Sequence, residues 1–429
     1  MATVVPTFIS LLLLAAHALR LGSTGAILFW LIAAVLAASP VAWKNLALAG
    51  LLGFGAWLWT DVALSLIEQR MAFGMPWVRL AAIMSIVTLL CLFAMLMNLG
   101  RARRRTSSAE VVPAVVFLLT IAGLALARQM TPMDIILADR FLPGAGWTVI
   151  MLLGLYGAWI SGKLLDGRNS AKWRRMLWTL FSLVFFFQLF LGLAGFERFL
   201  MTGNLHLPIP ALIVAGPLYR GEGFFMIILF AVTVVLVGPA WCSYLCYFGA
   251  WDNVAATAMK KPGRLSRKVK AARWIICVLV VITATALGRS GQGPLVATSL
   301  AAVFGIAGIG VMLIYSRRKG IMLHCAGFCP IGLIANVFGK IHPGRMAISP
   351  DCSNCNACSR FCRYGALSPD DLALGRPGLT CSLCGDCLSG CPQGHLQYSF
   401  PGLSSTAARS GFIIAVTVLH AIFLGVARI

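Results

Sequence analysis

Long apolar runs separated by short polar segments make up most of the chain. The runs lie at about 5 to 19, 25 to 38, 46 to 66, 80 to 99, 111 to 127, 147 to 162, 176 to 196, 223 to 241, 274 to 288, 295 to 315 and 411 to 427. A helix needs about 20 apolar residues to cross a bilayer, and the pattern therefore predicts about eleven transmembrane helices. The first two runs are short enough to form a re-entrant hairpin instead.

Composition places the chain among integral membrane proteins. Of its 429 residues, 59% are hydrophobic and only 11% are charged, and the mean hydropathy is +0.88. No basic segment precedes the first apolar run, so the N-terminus does not have the pattern of a cleavable signal peptide. We expect an all-α polytopic membrane protein.

Lysine and arginine are distributed unevenly between the predicted loops. Along alternating loops, 26 of the 35 fall on one side and 9 on the other, and the cationic side includes residues 101–105, 163–175, 260–273 and 317–319. Cationic loops stay in the cytoplasm, so the pattern predicts a bacterial inner-membrane protein with a periplasmic C-terminus. The net charge of +22 then reflects topology and attraction to anionic membrane lipid, with no nucleic acid partner.

Eight cysteines form two quartets with the same C-x2-C-x2-C-x3-C spacing. They are Cys352, Cys355, Cys358 and Cys362, followed by Cys381, Cys384, Cys387 and Cys391. Three thiolates on one short loop suit three corners of a [4Fe-4S] cubane, whereas structural zinc has no use for a third cysteine at that interval. A disulfide framework is disfavoured because the chain is neither small nor secreted. The quartets therefore indicate two [4Fe-4S] clusters and electron-transfer chemistry.

The quartets resemble those of bacterial two-cluster ferredoxins, in which each cluster takes its fourth ligand from the other quartet. The resemblance implies a small α+β ferredoxin module at residues 345–400, which the charge pattern puts in the cytoplasm. It assigns one cluster to Cys352, Cys355, Cys358 and Cys391, and the other to Cys381, Cys384, Cys387 and Cys362. Arg363 stands where the first quartet would have its proline, and this departure predicts altered hydrogen bonding around one cluster.

Two further cysteine pairs with C-x3-C spacing lie at the predicted cytoplasmic ends of helices. Cys242 and Cys246 form the first pair, and Cys325 and Cys329 the second. Cysteines four apart on a helix share one face, so each pair can present two thiols to a common partner. Three interpretations stay open: ligands of a third metal centre, two redox-active dithiols, or small buried residues without chemistry.

Paired C-x3-C motifs ahead of a two-cluster ferredoxin resemble the membrane polyferredoxins of the periplasmic nitrate reductase system (NapH type) and of nitrous oxide reductase activation (NosR type). The resemblance covers about residues 223 to 400. It implies an electron-transfer protein that draws on quinol or a cytoplasmic donor and serves periplasmic redox partner proteins. Tyr247 departs from the family pattern, because it replaces the proline that would follow the first pair.

Electrons need a further carrier to cross about 30 Å of hydrocarbon. A quinone suits this role because it diffuses within the bilayer, and the sequence has no C-x-x-C-H site for covalent haem. Quinol oxidation releases protons, and Glu197, His206 and Glu222 in one predicted outer loop are the candidates for proton handling. We then expect an electron-transfer subunit or an accessory oxidoreductase, for example a quinol dehydrogenase.

The sequence divides into four predicted parts. Residues 1–200 hold transmembrane helices of unassigned role, 201–344 carry the C-x3-C pairs, 345–400 form the ferredoxin module, and 401–429 form a last transmembrane helix. The unassigned part leaves a second function open, that of a redox-powered or redox-sensing transporter or assembly factor for a metalloenzyme. Its few intramembrane charges favour electron transfer, because such charges usually mark a transport path.

Overall fold

A computed structural model describes residues 4–103, 107–167, 169–200 and 207–426 of the chain. The described residues are mostly helical and belong to two compact units, Met1–Gly162 and Lys163–Ile429. The boundary between the units falls inside the helix Gly146–Leu165. The four-part division of the sequence stays a prediction.

The first unit is built from helices connected by short turns. They are α1 (Val4–Arg20), α2 (Thr24–Ala38), α3 (Lys44–Ala72), α4 (Val78–Arg103), α5 (Ser108–Met130), α6 (Leu137–Phe141) and α7 (Gly146–Leu165). Arg128 at the end of α5 pairs with the buried Asp139 of α6 at 2.7 Å. Asp139 also accepts the amide of Gly146 at 2.9 Å, which fixes the start of α7. None of the predicted site residues falls in this unit.

The second unit contains all of the chemically interesting cysteines. Its helices are α8 (Ser170–Leu193), α9 (Leu212–Arg220), α10 (Phe225–Val237), α11 (Trp241–Tyr244), α12 (Tyr247–Thr257), α13 (Arg267–Arg289), α14 (Pro294–Gly310), α15 (Arg317–Lys319), α16 (Pro330–Ile341), α17 (Pro369–Ala373) and α18 (Ser405–Gly425). Two segments, Val311–Ser316 and His324–Phe328, are π-helical. Such segments occur often at functional sites, and the second of them carries Cys325.

Nine helices within the described residues are long and apolar enough to cross a membrane. They are Lys44–Ala72, Val78–Arg103, Ser108–Met130, Gly146–Leu165, Ser170–Leu193, Phe225–Tyr244, Arg267–Arg289, Pro294–Lys319 and Ser405–Gly425. They indicate a multi-pass membrane protein. The helices α1 and α2 cover the first two predicted spans, but they have only 17 and 15 residues. The count of about eleven spans therefore stays a prediction.

A short antiparallel sheet closes the ends of the cysteine-rich segment. Strand β1 (Arg345–Ile348) pairs with β2 (Leu396–Ser399), with Arg345 opposite Ser399 and Ile348 opposite Leu396. Both quartets lie between these strands in the sequence. The connection between the quartets contains α17, which begins with a capping box of Ser368 and Asp371. That residues 345–400 form a ferredoxin module stays a prediction.

Candidate iron-sulfur sites

The two C-x2-C-x2-C loops share backbone features at equivalent positions. Asn354 and Asn356 in the first loop have φ angles of 54° and 58°. The equivalent Leu383 and Gly385 in the second loop have φ angles of 54° and 77°. Left-handed residues in a tight loop help to turn successive amide groups toward one concave side, which binds anions. Such loops suit the negative charge of thiolate-bound clusters.

Four cysteines from both quartets line one cavity. Cys381, Cys384 and Cys387 come from the second loop, and Cys362 comes from the first quartet. These are the four thiols that the ferredoxin resemblance assigns to one cluster. Burial raises the pKa of the Cys384 thiol to about 12, and the nearby Asp386 adds to the effect. Metal binding here would therefore displace a thiol proton.

The other four cysteines of the quartets also lie near one another. Burial raises the pKa of Cys358, and the nearby thiols of Cys391, Cys352 and Cys355 act on it in the same direction. Cys355 is exposed to solvent, whereas no thiol that lines the first cavity is exposed. The donor set again matches the predicted cluster, and this set is the more open of the two.

Hydroxyl groups hold the carbonyls of the second loop. Tyr398, Ser243 and Tyr244 donate to the carbonyls of Leu383, Ser382 and Cys384 at 2.9, 2.9 and 3.1 Å, respectively. Ser243 and Tyr244 belong to α11, the same short helix that carries Cys242. The carbonyls of this loop thus have partners outside the cavity, and the loop is joined directly to the first C-x3-C pair.

Neither C-x3-C pair lies on one continuous helix. Cys242 is part of α11 and Cys246 is the N-cap of α12. Cys325 is part of the π-helical turn and Cys329 is the N-cap of α16. A break between two helices therefore brings the thiols of each pair together, which corrects the expectation that they share one helix face.

All four of these thiols line a second cavity, and each of the four cysteines is at least 92% buried. Burial raises the pKa of Cys246 to about 12, while hydrogen bonds from the amides of Gly249 and Phe248 oppose that shift. Cys329 accepts equivalent bonds at the start of α16. Two helix N-termini thus meet at the cavity and favour negative charge there. The sulfurs surround the cavity without converging on a point: among the described residues, no three His, Cys, Asp or Glu side chains could hold a single metal ion.

Three buried polar side chains near this cavity were not singled out by the sequence patterns. Arg273 of α13 is 2% exposed, whereas the charge pattern predicts a loop cation at this position. Asp252 is fully buried and accepts the amide of Cys325 at 2.9 Å. Burial lowers the pKa of His324, which also lines the cavity, to about 4. Only Arg273 had a sequence signal, because it directly precedes the apolar run at 274 to 288 and charges at such places often have a function.

Tyr364 spans from one set of cysteines to the other. It lines the cavity that contains Cys362, and its hydroxyl donates to the carbonyl of Cys242 at 3.3 Å. Trp178 belongs to the same buried cluster as Tyr364, and its indole N–H donates to the carbonyl of Cys246 at 2.8 Å. The two cavities are therefore connected through buried aromatic side chains.

Arg363 does not line either of the two cysteine cavities. Its guanidinium donates to the carbonyls of Gly320, Ala256 and Lys260 at 2.9, 3.2 and 3.3 Å. Its own carbonyl accepts the amide of Met322 at 2.9 Å. The departure from the ferredoxin pattern thus fastens the first quartet to the ends of α12 and α15.

The candidates for proton handling are not brought to the cysteines. Glu197 and Glu222 are both exposed, and neither lines the two cavities. His206 lies outside the described residues. Their role stays a prediction.

A family model described as a 4Fe-4S binding domain matches residues 222–263 and 300–349. The matched stretches contain both C-x3-C pairs and end before Cys352, the first cysteine of the quartets. The match covers less than half of the chain, and it supports an iron-sulfur protein of ferredoxin type with a role in electron transfer. No curated protein and no solved structure gave a significant match.

Proposed function

We propose that the protein is a membrane-bound iron-sulfur electron-transfer protein with three [4Fe-4S] centres. The outer centre is held by Cys352, Cys355, Cys358 and Cys391, the middle centre by Cys362, Cys381, Cys384 and Cys387, and the third centre by Cys242, Cys246, Cys325 and Cys329. Each cluster supplies one-electron chemistry when it is bound. The four-cysteine donor sets and the family match over the C-x3-C pairs support this assignment.

The observation that carries the proposal is the continuity between the middle and third sites. Tyr364 touches both sets of cysteines, and Tyr244 bonds the loop of the middle site from a position two residues after Cys242. Electron tunnelling weakens steeply with distance, so direct packing of two sites favours transfer between them. The chain thereby offers a path from the loop of the exposed Cys355 to the membrane.

The third site lies at the end of an apolar helix. Residues Phe225–Tyr244 form a candidate membrane span, and Cys242 lies in its last turn. A centre at this level is suited to exchange electrons with a quinone that diffuses in the bilayer. The exposed outer centre is suited to a soluble redox partner. Together these features support a chain of centres that connects the quinone pool with a partner protein.

The finer assignment follows the resemblance to the NapH and NosR types. By this resemblance, the protein lies in a bacterial inner membrane with its cysteine-rich segment on the cytoplasmic side, and its electrons serve a periplasmic redox system. The distribution of lysine and arginine supports this orientation. Oxidation of one quinol releases two electrons, which pass singly to the centres, and two protons, for which Glu197, His206 and Glu222 are the proposed acceptors.

An EPR-monitored redox titration of the full chain, purified anaerobically in detergent with iron and sulfide counted, tests the proposal. We expect about twelve irons per chain, three separable signals and reduction by a quinol analogue. About eight irons would leave the C-x3-C pairs without a cluster. If quinol cannot reduce the clusters, the electron donor is a cytoplasmic one and not quinol.

Serine variants separate the third centre from the other two. Cys242→Ser and Cys325→Ser should each lower the iron content by about four and remove one signal. Cys91→Ser is the matched control, because Cys91 is also buried but lies in the first unit. Unchanged iron in the two pair variants would contradict a cluster at this site.

A further inference from the structure

Arg273 is a buried cation that lies against the C-x3-C site. One turn earlier on α13, Val269 packs so tightly against Gly327 that a Cβ there would lie 2.4 Å from Val269 Cγ1. Gly327 belongs to the turn between Cys325 and Cys329. Residues four apart share a helix face, so the face of α13 that carries Arg273 is the one that meets this turn.

Within the part of the chain that the structure describes, no carboxylate forms an ion pair with the guanidinium of Arg273. Its Nε and one terminal nitrogen lack any hydrogen-bond partner, although the side chain is 2% exposed. Arg128 and Arg174, by contrast, each pair with a carboxylate. Buried charges are normally paired, because removal of an ion from water is energetically costly. A nearby negative charge would therefore stabilise Arg273 in this position.

The groups that supply such a charge are the cysteines. Arg273 lies within electrostatic range of Cys242, Cys329, Cys325 and Cys277. The first three line the C-x3-C cavity. As thiols they are neutral, and they become negative when they bind iron. The unpaired guanidinium thus fits a site whose charge appears on loading.

We propose that Arg273 is the counter-charge of the third centre and sets its reduction potential, an inference that rests on the proposed third cluster. A cubane with four thiolate ligands is negative in both redox states and gains one more negative charge on reduction. A fixed cation in a low-dielectric site stabilises the more negative state more strongly, which raises the potential. Arginine suits this role because it stays protonated.

Potentials measured for charge variants test the role of Arg273. Arg273→Met removes the charge and Arg273→Lys retains it, while Arg289→Met changes an exposed arginine at the far end of the same helix. At a fixed solution potential, we expect Arg273→Met to lower the reduced-to-oxidised ratio of the third centre at least tenfold, which is about 59 mV for one electron. Arg273→Lys should shift the ratio much less, and Arg289→Met should leave it unchanged.

Unfolding of iron-free and iron-loaded protein provides a second readout. Without iron, Arg273→Met removes an uncompensated buried charge and should make the chain more resistant to unfolding. With iron, the same variant should make it less resistant. A purely structural arginine would lower resistance in both states. This reversal of sign therefore distinguishes a counter-charge from a packing residue.

The outcomes separate the inference from the proposed function. A wild-type chain without a third signal would overturn the third centre itself. A third signal whose potential Arg273→Met does not shift would overturn only the role of Arg273. Arg273→Met could also fail to bind the irons of the third centre. In that case, binding of these irons by Arg273→Lys supports the counter-charge. Loss of the irons in both variants, together with lower resistance of the iron-free variants to unfolding, contradicts it.

Discussion

Arg174 and Asp386 form a buried bidentate ion pair, with Nε and Nη2 lying 2.7 and 2.6 Å from the two carboxylate oxygens. Arg174 belongs to α8, a candidate span, and Asp386 lies in the second cysteine loop. The guanidinium also donates to the carbonyl of Ser243 at 3.0 Å. One side chain therefore fastens the loop of the middle site both to α8 and to the turn that carries Cys242.

Arg174→Met should strongly destabilise the second unit. Removal of one partner leaves Asp386 buried without a counter-charge, and such a loss typically costs about 3–5 kcal/mol. We expect a lower denaturant midpoint in detergent, followed by loss of cluster absorbance. Arg175→Met is the matched control, because Arg175 is exposed and its guanidinium donates to the carbonyl of Ala171 in its own helix. Equal midpoints for the two variants would contradict the role of the ion pair.

The crossed assignment of the quartets predicts which variants share a phenotype. Cys362→Ser should remove the same EPR signal and the same roughly four irons as Cys384→Ser, because both thiols line one cavity. Cys391→Ser should instead match Cys355→Ser. Pairing of Cys362 with Cys355 in this comparison would show that each quartet binds its own cluster. The titration of Cys91→Ser should equal that of the wild type.

Arg363→Ala should weaken the attachment of the first quartet to the ends of α12 and α15. Three hydrogen bonds to carbonyls are lost, and each contributes about 0.5–1.5 kcal/mol net. We expect faster amide hydrogen exchange in residues 345–400, measured by mass spectrometry, without loss of iron. Arg360→Ala provides the comparison, since Arg360 is exposed in the same quartet. If the exchange rates at residues 345–400 do not change, other contacts hold the first quartet against the helices.

The hydrophobic pattern predicted the helices better than it predicted the site. Each of the eleven apolar runs contains an α-helix, because about 20 apolar residues have few other ways to satisfy their backbone in a membrane. The break after Cys329 also had a sequence signal, since Pro330 is favoured at the first position of a helix. The equivalent break before Tyr247 had no such signal.

The buried charges could not be predicted from local sequence. The charge pattern predicts that Arg174 and Arg273 are both loop cations, because a solvated and a buried charge near a helix end have the same local sequence. Their burial depends on distant partners. Asp386 is 212 positions from Arg174, and the cysteines around Arg273 come from two separate motifs. Tertiary packing, and not periodicity, decides such positions.

We expect the middle centre to require glycine at position 385 but not at position 375. Both have positive φ angles, 77° and 63°, so alanine should cost each about 1–2 kcal/mol. A Cβ at Gly385 would lie 2.5 Å from Tyr398 Oη, whereas a Cβ at Gly375 meets no atom within 4 Å. Gly385→Ala should therefore displace the loop between Cys384 and Cys387 and lose about four irons, while Gly375→Ala should retain them.

A second substitution identifies the collision as the cause. Tyr398→Phe removes Oη and, with it, the hydrogen bond to the carbonyl of Leu383, which costs about 1 kcal/mol. Added to Gly385→Ala, it should nevertheless restore iron, because the space that Cβ needs becomes free. The iron content and middle-centre EPR signal of the single and double variants check this. If the double variant binds no more iron than Gly385→Ala, backbone strain and not the contact with Tyr398 makes glycine necessary.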